Sequence, residues 1–500
     1  MDPSSSVIET VKLVIPLVIT FLAPFFIIVL GKNQNAREAV SFAAATLTAL
    51  VVISFAPAVL KGQVLHYTLF TLLPGVTISF MVDGLAIIFA FIAPFLWIFA
   101  TSYNIGYMRS LKEHAQTRYY TCFAVAIFGA VGVAMAANVV TLYLFYEVIS
   151  VFTYPLVFHH QDAEGYTGGR KYLVYLMGTS KLFLLPAMIL TYVLAGTLEF
   201  PLGDMVHGIF SAQVIAEHPN LVRLTYILFI AGLAKAALIP FHNWLPSAMV
   251  APTPVSALLH AVAVVKAGVY SVSRIILSGF GTEPMAQLGL SLPTAYVAAF
   301  TIVIASFIAL TKDDIKARLA YSTVSQLSYV VVGVALVAPM AIQGGLMHIG
   351  HHAFSKITLF FGAGAIYVAS HLKSIAKMNG LGRRMPWTFG AFGIASLSMI
   401  GVPPVCGFVS KWYLVNGSID QGQLVLFVAL LLSTALNAGY FVPIFYRAFF
   451  LPPDPDANME QYKEAPLSMV VPLVFTSVVS VVLGLFPWLF QDFIKAFGKF

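Results

Sequence analysis

About 14 apolar stretches recur along this 500-residue chain, centred near residues 20, 50, 87, 128, 148, 182, 235, 265, 302, 329, 358, 398, 435 and 479. Each approaches the ~20 residues that a helix needs to cross ~30 Å of hydrocarbon. In lipid every backbone N–H and C=O must find its partner within the chain, so such runs cross as α-helices. Composition agrees: 59% of residues are hydrophobic and 9% charged, with a mean hydropathy of +0.89. Soluble domains are roughly 25% charged, and a soluble chain of this make-up would expose large apolar patches. The expected fold class is an all-α polytopic membrane protein. The opening "MDPSSSVIETVKLV" lacks the basic region of a cleaved signal peptide, so the first run is expected to stay as a helix.

Cysteine and charge exclude several functions. Cys122 and Cys406 lie in separate apolar runs and form no C-x-x-C pair. That argues against an iron–sulfur cluster, a structural zinc site or a thiol redox centre, so no cofactor or metal is expected. The formal net charge of +7 comes from basic residues in loops beside the apolar runs. That is a signal of membrane orientation and gives no nucleic-acid face.

Of 27 Lys and Arg residues, sixteen fall in the loops after odd-numbered stretches, including Lys32, Arg109, Lys171, Lys316, Lys373 and Arg447. Six fall in even loops and tails: Lys12, Lys61, Arg223, Arg274, Lys495 and Lys499. By the positive-inside rule the odd loops are cytoplasmic and both termini lie outside. The remaining five, Lys181, Lys235, Lys266, Lys356 and Lys411, fall inside the apolar stretches. Glu147 is an acidic residue near mid-span, and Asp83 sits at the start of the third stretch. An ionisable group within a membrane segment costs several kcal/mol to bury and is a functional hypothesis by default.

Glu147, in "LYLFYEVISVFTYPLVF", has no basic neighbour in sequence, and Lys235 is the leading partner from another helix. A lysine's affinity for its proton depends on whether such a pair is closed. The plainer reading is a static ion pair pinning two helices. After Lys235 come Pro240, Pro246, Pro252 and Pro254. Proline removes a backbone donor and disrupts the helix, and broken backbone survives in a membrane only where it is buried or lines a cavity. An ordinary re-entrant loop would do the same. A second break falls at Pro403 and Pro404, with Lys411 about two turns later. Two interrupted segments in corresponding parts of the chain point to a transporter with internal repeats.

Between the breaks lie further titratable groups. Lys266 follows His260 by six residues, a spacing that does not share a helix face. His348, His352 and Lys356, in "MHIGHHAFSKITLFF", recur every four residues on one slowly drifting face, and His351 lies off it. Histidine titrates near neutrality, so the set suits proton relay. The H-x-x-x-H spacing also suits a metal, but no acidic or cysteine ligand accompanies it; satisfied core histidines are the other reading. Lys181 is a further candidate for the path, or snorkels. The charges of "TKDDIKARLAYSTVSQLSY" read as a solvated face.

The stretches "YEVISVFTYPLV", "LAKAALIPFHNWLPSAMVAPTPVSALLHAVAVVKAGVY", "KARLAYSTVSQLSYVVVGVAL", "HHAFSKITLFFGAGAI" and "IGVPPVCGFVSKWYLV" carry a family resemblance. The chain resembles the antiporter-like, ion-translocating subunits shared by respiratory complex I, Mrp-type cation/proton antiporters and membrane-bound hydrogenases. The resemblance implies 14 transmembrane helices with two inverted five-helix repeats, each with one broken helix. It implies an N-terminal three-helix segment (1–115), a first repeat (116–280), a second (285–450) and a last helix (451–500). It matches Glu147 to a glutamate that modulates the neighbouring lysine and Lys235 to the broken-helix lysine. It matches Lys266 to a central lysine, His348, His352 and Lys356 to bridging residues, and Lys411 to a position that is glutamate in some branches. Lysine there points, by the resemblance, to the Mrp-D-like or lysine-type branch. The chain's end soon after the last stretch implies no long lateral helix.

The function expected is a proton-translocating subunit working with other membrane subunits in a prokaryotic inner membrane. The path would run by Lys235, His260, Lys266, His348, His352, Lys356 and Lys411, gated by Glu147 and Lys235. Coupling to sodium in an antiporter, to redox chemistry in a complex I-like or hydrogenase-type partner, or to inorganic carbon uptake are alternatives, as is an inactive scaffold.

Overall fold

The computed structural model describes residues 7–454 and 459–498. Lys499 and both chain ends, placed outside the membrane above, lie beyond them. Among the described residues eleven helices are long and apolar enough to cross a membrane, including Val139–Val157, Ala163–Ala195, Thr253–Phe280, Pro339–Ser370 and Leu424–Phe450. Peripheral ones such as Val14–Val29 leave Phe21, Phe25, Phe26 and Val29 exposed. An outward apolar face of this kind has lipid as its natural solvent.

Burial grades inward. Every residue from Thr253 to Phe280 is buried. The 32-residue Pro339–Ser370 helix, about 48 Å long at 1.5 Å per residue, packs beside it and against Cys406–Asp420, Ile315–Ala335, Pro386–Ile400 and Leu467–Leu485. Glycines permit this density: at Gly344 an added Cβ would lie 2.8 Å from Leu414 N, and at Gly407 1.8 Å from Ser398 O.

Two shorter apolar helices, Pro219–Gly232 and Pro386–Ile400, end at breaks. The first gives way to a 3-10 turn at Ala234–Ala236 and irregular chain carrying Pro240 before a short helix at Trp244–Ser247, which includes Pro246. The second ends at Gly401 with φ +95°, then passes Pro403 and Pro404 into Cys406–Asp420.

Two findings correct the sequence reading. A three-stranded sheet, β1 (Val7–Glu9), β2 (Val64–Leu73) and β3 (Val76–Val82), stands beside the helices; β1 pairs parallel and β3 antiparallel with β2. The hairpin "VLHYTLFTLLPGVTISFMV" reads as apolar chain between two helical stretches, which hid its β-branched residues and Pro-Gly turn. Second, Arg274 is no loop residue. It lies in Thr253–Phe280 at 1% exposure, and its guanidinium donates two bonds to Asp83, Nη1 to Oδ2 at 2.6 Å and Nη2 to Oδ1 at 2.9 Å.

Candidate functional site

The first break is held open by its own side chains. The Trp244 indole donates to the Ala234 carbonyl at 2.9 Å, satisfying backbone that a continuous helix would have used. Lys235, fully buried, turns towards Val139–Val157. Its Nζ donates to Tyr146 O at 2.8 Å and Ser150 Oγ at 2.7 Å, 3.1 Å from the centre of the Tyr146 ring. The expected direct Lys235–Glu147 contact is absent. Glu147 Oε2 accepts from Lys181 Nζ at 2.5 Å, and Lys181 also donates to Tyr143 at 2.9 Å. Positions 146 and 147 are 100° apart on a helix, so Tyr146 faces Lys235 while Glu147 faces Ala163–Ala195. Lys181 sits in an irregular turn, Ser180–Leu184, and is 45% exposed.

The break touches the next helix at Gly268, where an added Cβ would lie 2.3 Å from both Ala236 N and Lys235 C. Gly268→Ala is expected to destabilise the protein by roughly 1–3 kcal/mol, the usual penalty of overpacking. It should also weaken transport by displacing Lys235. Thermal melting of the purified protein and flux in vesicles check both; a wild-type midpoint refutes the tight contact.

Lys266 projects from Thr253–Phe280 at 0% exposure and places Nζ 2.6 Å from His352 Nδ1. His260, six residues earlier, is off the Lys266 face, as the spacing implies. Its ring packs tilted against Phe360, centres 4.5 Å apart, with neither ring nitrogen bonded among the described residues. From His352 the Pro339–Ser370 helix continues the line, the His348 ring centre being 6.0 Å from that of His352. His348 Nδ1 lies 2.9 Å from Ser410 Oγ and Nε2 3.0 Å from Gln326 Oε1. His351 points elsewhere, 6.0 Å from the Phe490 ring.

The second break supplies the far end. Helices leave their last carbonyls without partners, and a cation there also meets the negative end of the dipole. Lys411 fills that role, donating to Met399 O at 2.6 Å and Ile400 O at 3.1 Å. Asn437 and Gln326 donate to Met399 O as well, at 3.1 and 3.3 Å. Lys356 Nζ donates instead to Ser322 Oγ at 2.9 Å. Ser322 Oγ lies 3.1 Å from the Tyr440 hydroxyl, which donates to Asn437 Oδ1 at 2.5 Å. Lys356 and Lys411 are thereby held in register through Ser322, Tyr440, Asn437 and the Met399 carbonyl. Ser322 and Tyr440 can both give and accept a proton; Asn437 and the carbonyl only orient.

Sequence reading missed Ser150, Ser322, Gln326, Ser410, Asn437 and Tyr440. Each is fully buried. Their signal was polarity inside apolar helices, weaker than charge because serine can satisfy itself on its own helix.

A cavity of about 920 Å³ opens at the end of the bundle where Glu113, Lys171, Lys316 and Lys373 gather, so these odd loops share one face. Thr253 and Tyr107 line it, and Lys316 Nζ donates to Ala251 O at 2.5 Å on its wall. His260 lies seven residues beyond Thr253, about two turns deeper.

The model of the family described as NADH:quinone oxidoreductase/Mrp antiporter, TM, matches residues 136–437, more than half of the chain. NADH-quinone oxidoreductase subunit N of Desulforudis audaxviator is 31% identical over 470 residues, 90% of each chain. A probable K(+)/H(+) antiporter subunit of Rhizobium meliloti is 30% identical over 489 residues, 96% of this chain but 47% of that one. The chain thus spans about half the length of that second relative. A chain of the Mrp complex from a Dietzia species superposes with a TM-score of 0.83 at 21% identity, covering 97% of both chains. A chain of the archaeal membrane-bound sulfane sulfur reductase does so with a TM-score of 0.84 at 22% identity, again over 97% of both. At such identities these likenesses establish the fold.

Proposed function

From the premise that this chain belongs to the NADH:quinone oxidoreductase/Mrp antiporter membrane family, we propose that it is a proton-translocating membrane subunit of a multisubunit Mrp-type cation/proton antiporter or a related energy-converting complex. The observation that carries this reading is the buried row of titratable groups: Lys235, Lys266, His348, His352 and Lys356 at 0% exposure and Lys411 at 6%. A proton enters from the loop cavity or from the Lys235 side, passes Lys266 to His352 and His348, and leaves by Lys411. Opening and closing of the Glu147–Lys181 pair beside Lys235 acts as the gate. A two-unit change in a lysine's pKa is worth about 2.7 kcal/mol, comparable to the about 2.3 kcal/mol for one charge across 100 mV, so pairing can couple to the membrane potential.

The reading includes 14 transmembrane helices in two inverted five-helix repeats (116–280 and 285–450), flanked by 1–115 and 451–500. Two lysine-bearing breaks and two half-units joined at Lys266–His352 support it. It places both termini outside a prokaryotic inner membrane, which the gathering of basic odd loops at one end supports. Other membrane subunits are the partners: the relatives are named as subunits, and a 45%-exposed Lys181 on a membrane helix calls for a covering neighbour. The likeness to the NADH-quinone oxidoreductase relative over 90% of both chains favours, as a second reading, a redox-driven pump in a complex I-like assembly. Lys235→Ala and Glu147→Ala in the assembled complex, with proton translocation measured in vesicles, are each expected to lower flux at least about tenfold; full transport in both overturns the proposal.

A further inference from the structure

A second cluster of titratable groups lies outside this row, at the rim of the loop cavity. Glu113 and His114 occupy the turn after Gly84–Ser110, and His159 and His160 follow Val139–Val157. Forty-four residues separate His114 from His159, which conceals the grouping in the sequence. In the fold one ligand-capable atom each of Glu113, His114 and His159 lie within 4.8 Å of one another. His159 is 0% exposed, and neither of its ring nitrogens has a hydrogen-bond partner among the described residues. Its Nε2 stands 3.6 Å from Glu113 Oε2, and His160 Nε2 stands 3.4 Å from Glu113 Oε1. The first separation is too long for a hydrogen bond. Both are close to the edge of a tetrahedron around zinc, roughly 3.3 Å for bonds of 2.0–2.1 Å.

We propose that Glu113, His114 and His159 bind a borderline divalent transition-metal ion, Zn2+ in the first place. Two imidazoles and one carboxylate with a remaining open position are a common zinc donor set. The missing cysteine pairs argue only against a thiolate site. The carboxylate also offsets the neighbouring Arg118, which donates to the His159 carbonyl at 3.0 Å. An ion here would tie the turn after Gly84–Ser110 to the end of Val139–Val157 beside the cavity mouth. The inference stands independently of the proton path.

The test uses the full-length protein purified with its complex, stripped with chelator and then titrated with Zn2+ against a chromophoric competitor. About one Zn2+ per chain is expected to be held, with affinity falling at least tenfold in Glu113→Gln and His114→Ala. His114 is exposed, so its variant keeps the test valid if His159→Ala does not fold. His371→Ala, an exposed histidine on the same cavity, should bind as wild type. Co2+ should give visible tetrahedral absorption bands that His114→Ala abolishes. Zinc affinity equal in wild type and His114→Ala, or no retained zinc, overturns the proposal.

Discussion

Lys266→Met is expected to abolish proton transport while leaving the protein folded. Lys266 is the residue through which Thr253–Phe280 meets the polar line of Pro339–Ser370, by the 2.6 Å contact to His352 Nδ1. Methionine fills a similar volume but carries no proton, so the row divides into two halves with no titratable group between them. Loss of a positioned proton carrier costs about 100-fold or more in rate. Stability should hold, because the substitution also removes a buried charge that is expensive to keep. Lys266→Arg makes the test sharper. Arginine keeps the positive charge but does not give up its proton in proteins. If Lys266 serves as a fixed charge, Arg restores flux; if it titrates, Arg fails as Met does. Flux measured with a pH-sensitive dye in vesicles bearing the assembled complex decides this. Wild-type rates in Lys266→Met would refute a path through this residue.

The same contact shows what the sequence could and could not disclose. Charge inside an apolar run is costly, so Lys235, Lys266, Lys356 and Lys411 stand out as soon as the runs are delimited, and the prolines mark both breaks. Helix facing is different. Adjacent side chains diverge by about 100°, so nothing local says whether Glu147 looks towards Lys235 or Lys181. That depends on how three helices pack, and the resemblance to the family points to Lys235 rather than to the nearer lysine. The six-residue step from His260 to Lys266 already sets the two on different faces, and a π-helical turn at Leu258–Val262 lies at its start. The hydroxyl and amide groups joining Lys356 to Lys411 come from Ile315–Ala335 and Leu424–Phe450. Their convergence on the Met399 carbonyl exists only once the second break and these helices pack together. Arg274 is misplaced because positive-inside counting assigns unmatched basic residues to loops, whereas its partner Asp83 lies 191 positions away.

That pair carries the largest expected effect on stability. Asp83 accepts both guanidinium bonds of Arg274 and also caps the Gly84–Ser110 helix, its Oδ1 accepting from Leu85 N at 3.1 Å and Ala86 N at 2.8 Å. Arg274 donates further to Tyr270 at 2.8 Å and Ser278 at 3.2 Å. Asp83→Ala therefore removes a helix cap, worth about 1 kcal/mol, and strands a buried guanidinium, which costs about 3–5 kcal/mol. A loss of that size is a large part of the roughly 5–15 kcal/mol by which folded domains are stable, so the variant should melt far below wild type or fail to accumulate. Asp83→Asn keeps an acceptor for the cap but not the charge, and should fall between. The double variant Asp83→Ala/Arg274→Met separates the terms. With no charge left to strand, it should recover most of the loss despite lacking the Arg274 bonds to Tyr270 and Ser278 that Asp83→Ala keeps, because exchanging a whole buried pair for apolar groups is often neutral. Thermal melting of these proteins and of Arg274→Met alone measures this coupling. Additive losses in the double variant would mean that Asp83 and Arg274 act independently and that the cap, not the ion pair, ties this end of the bundle together.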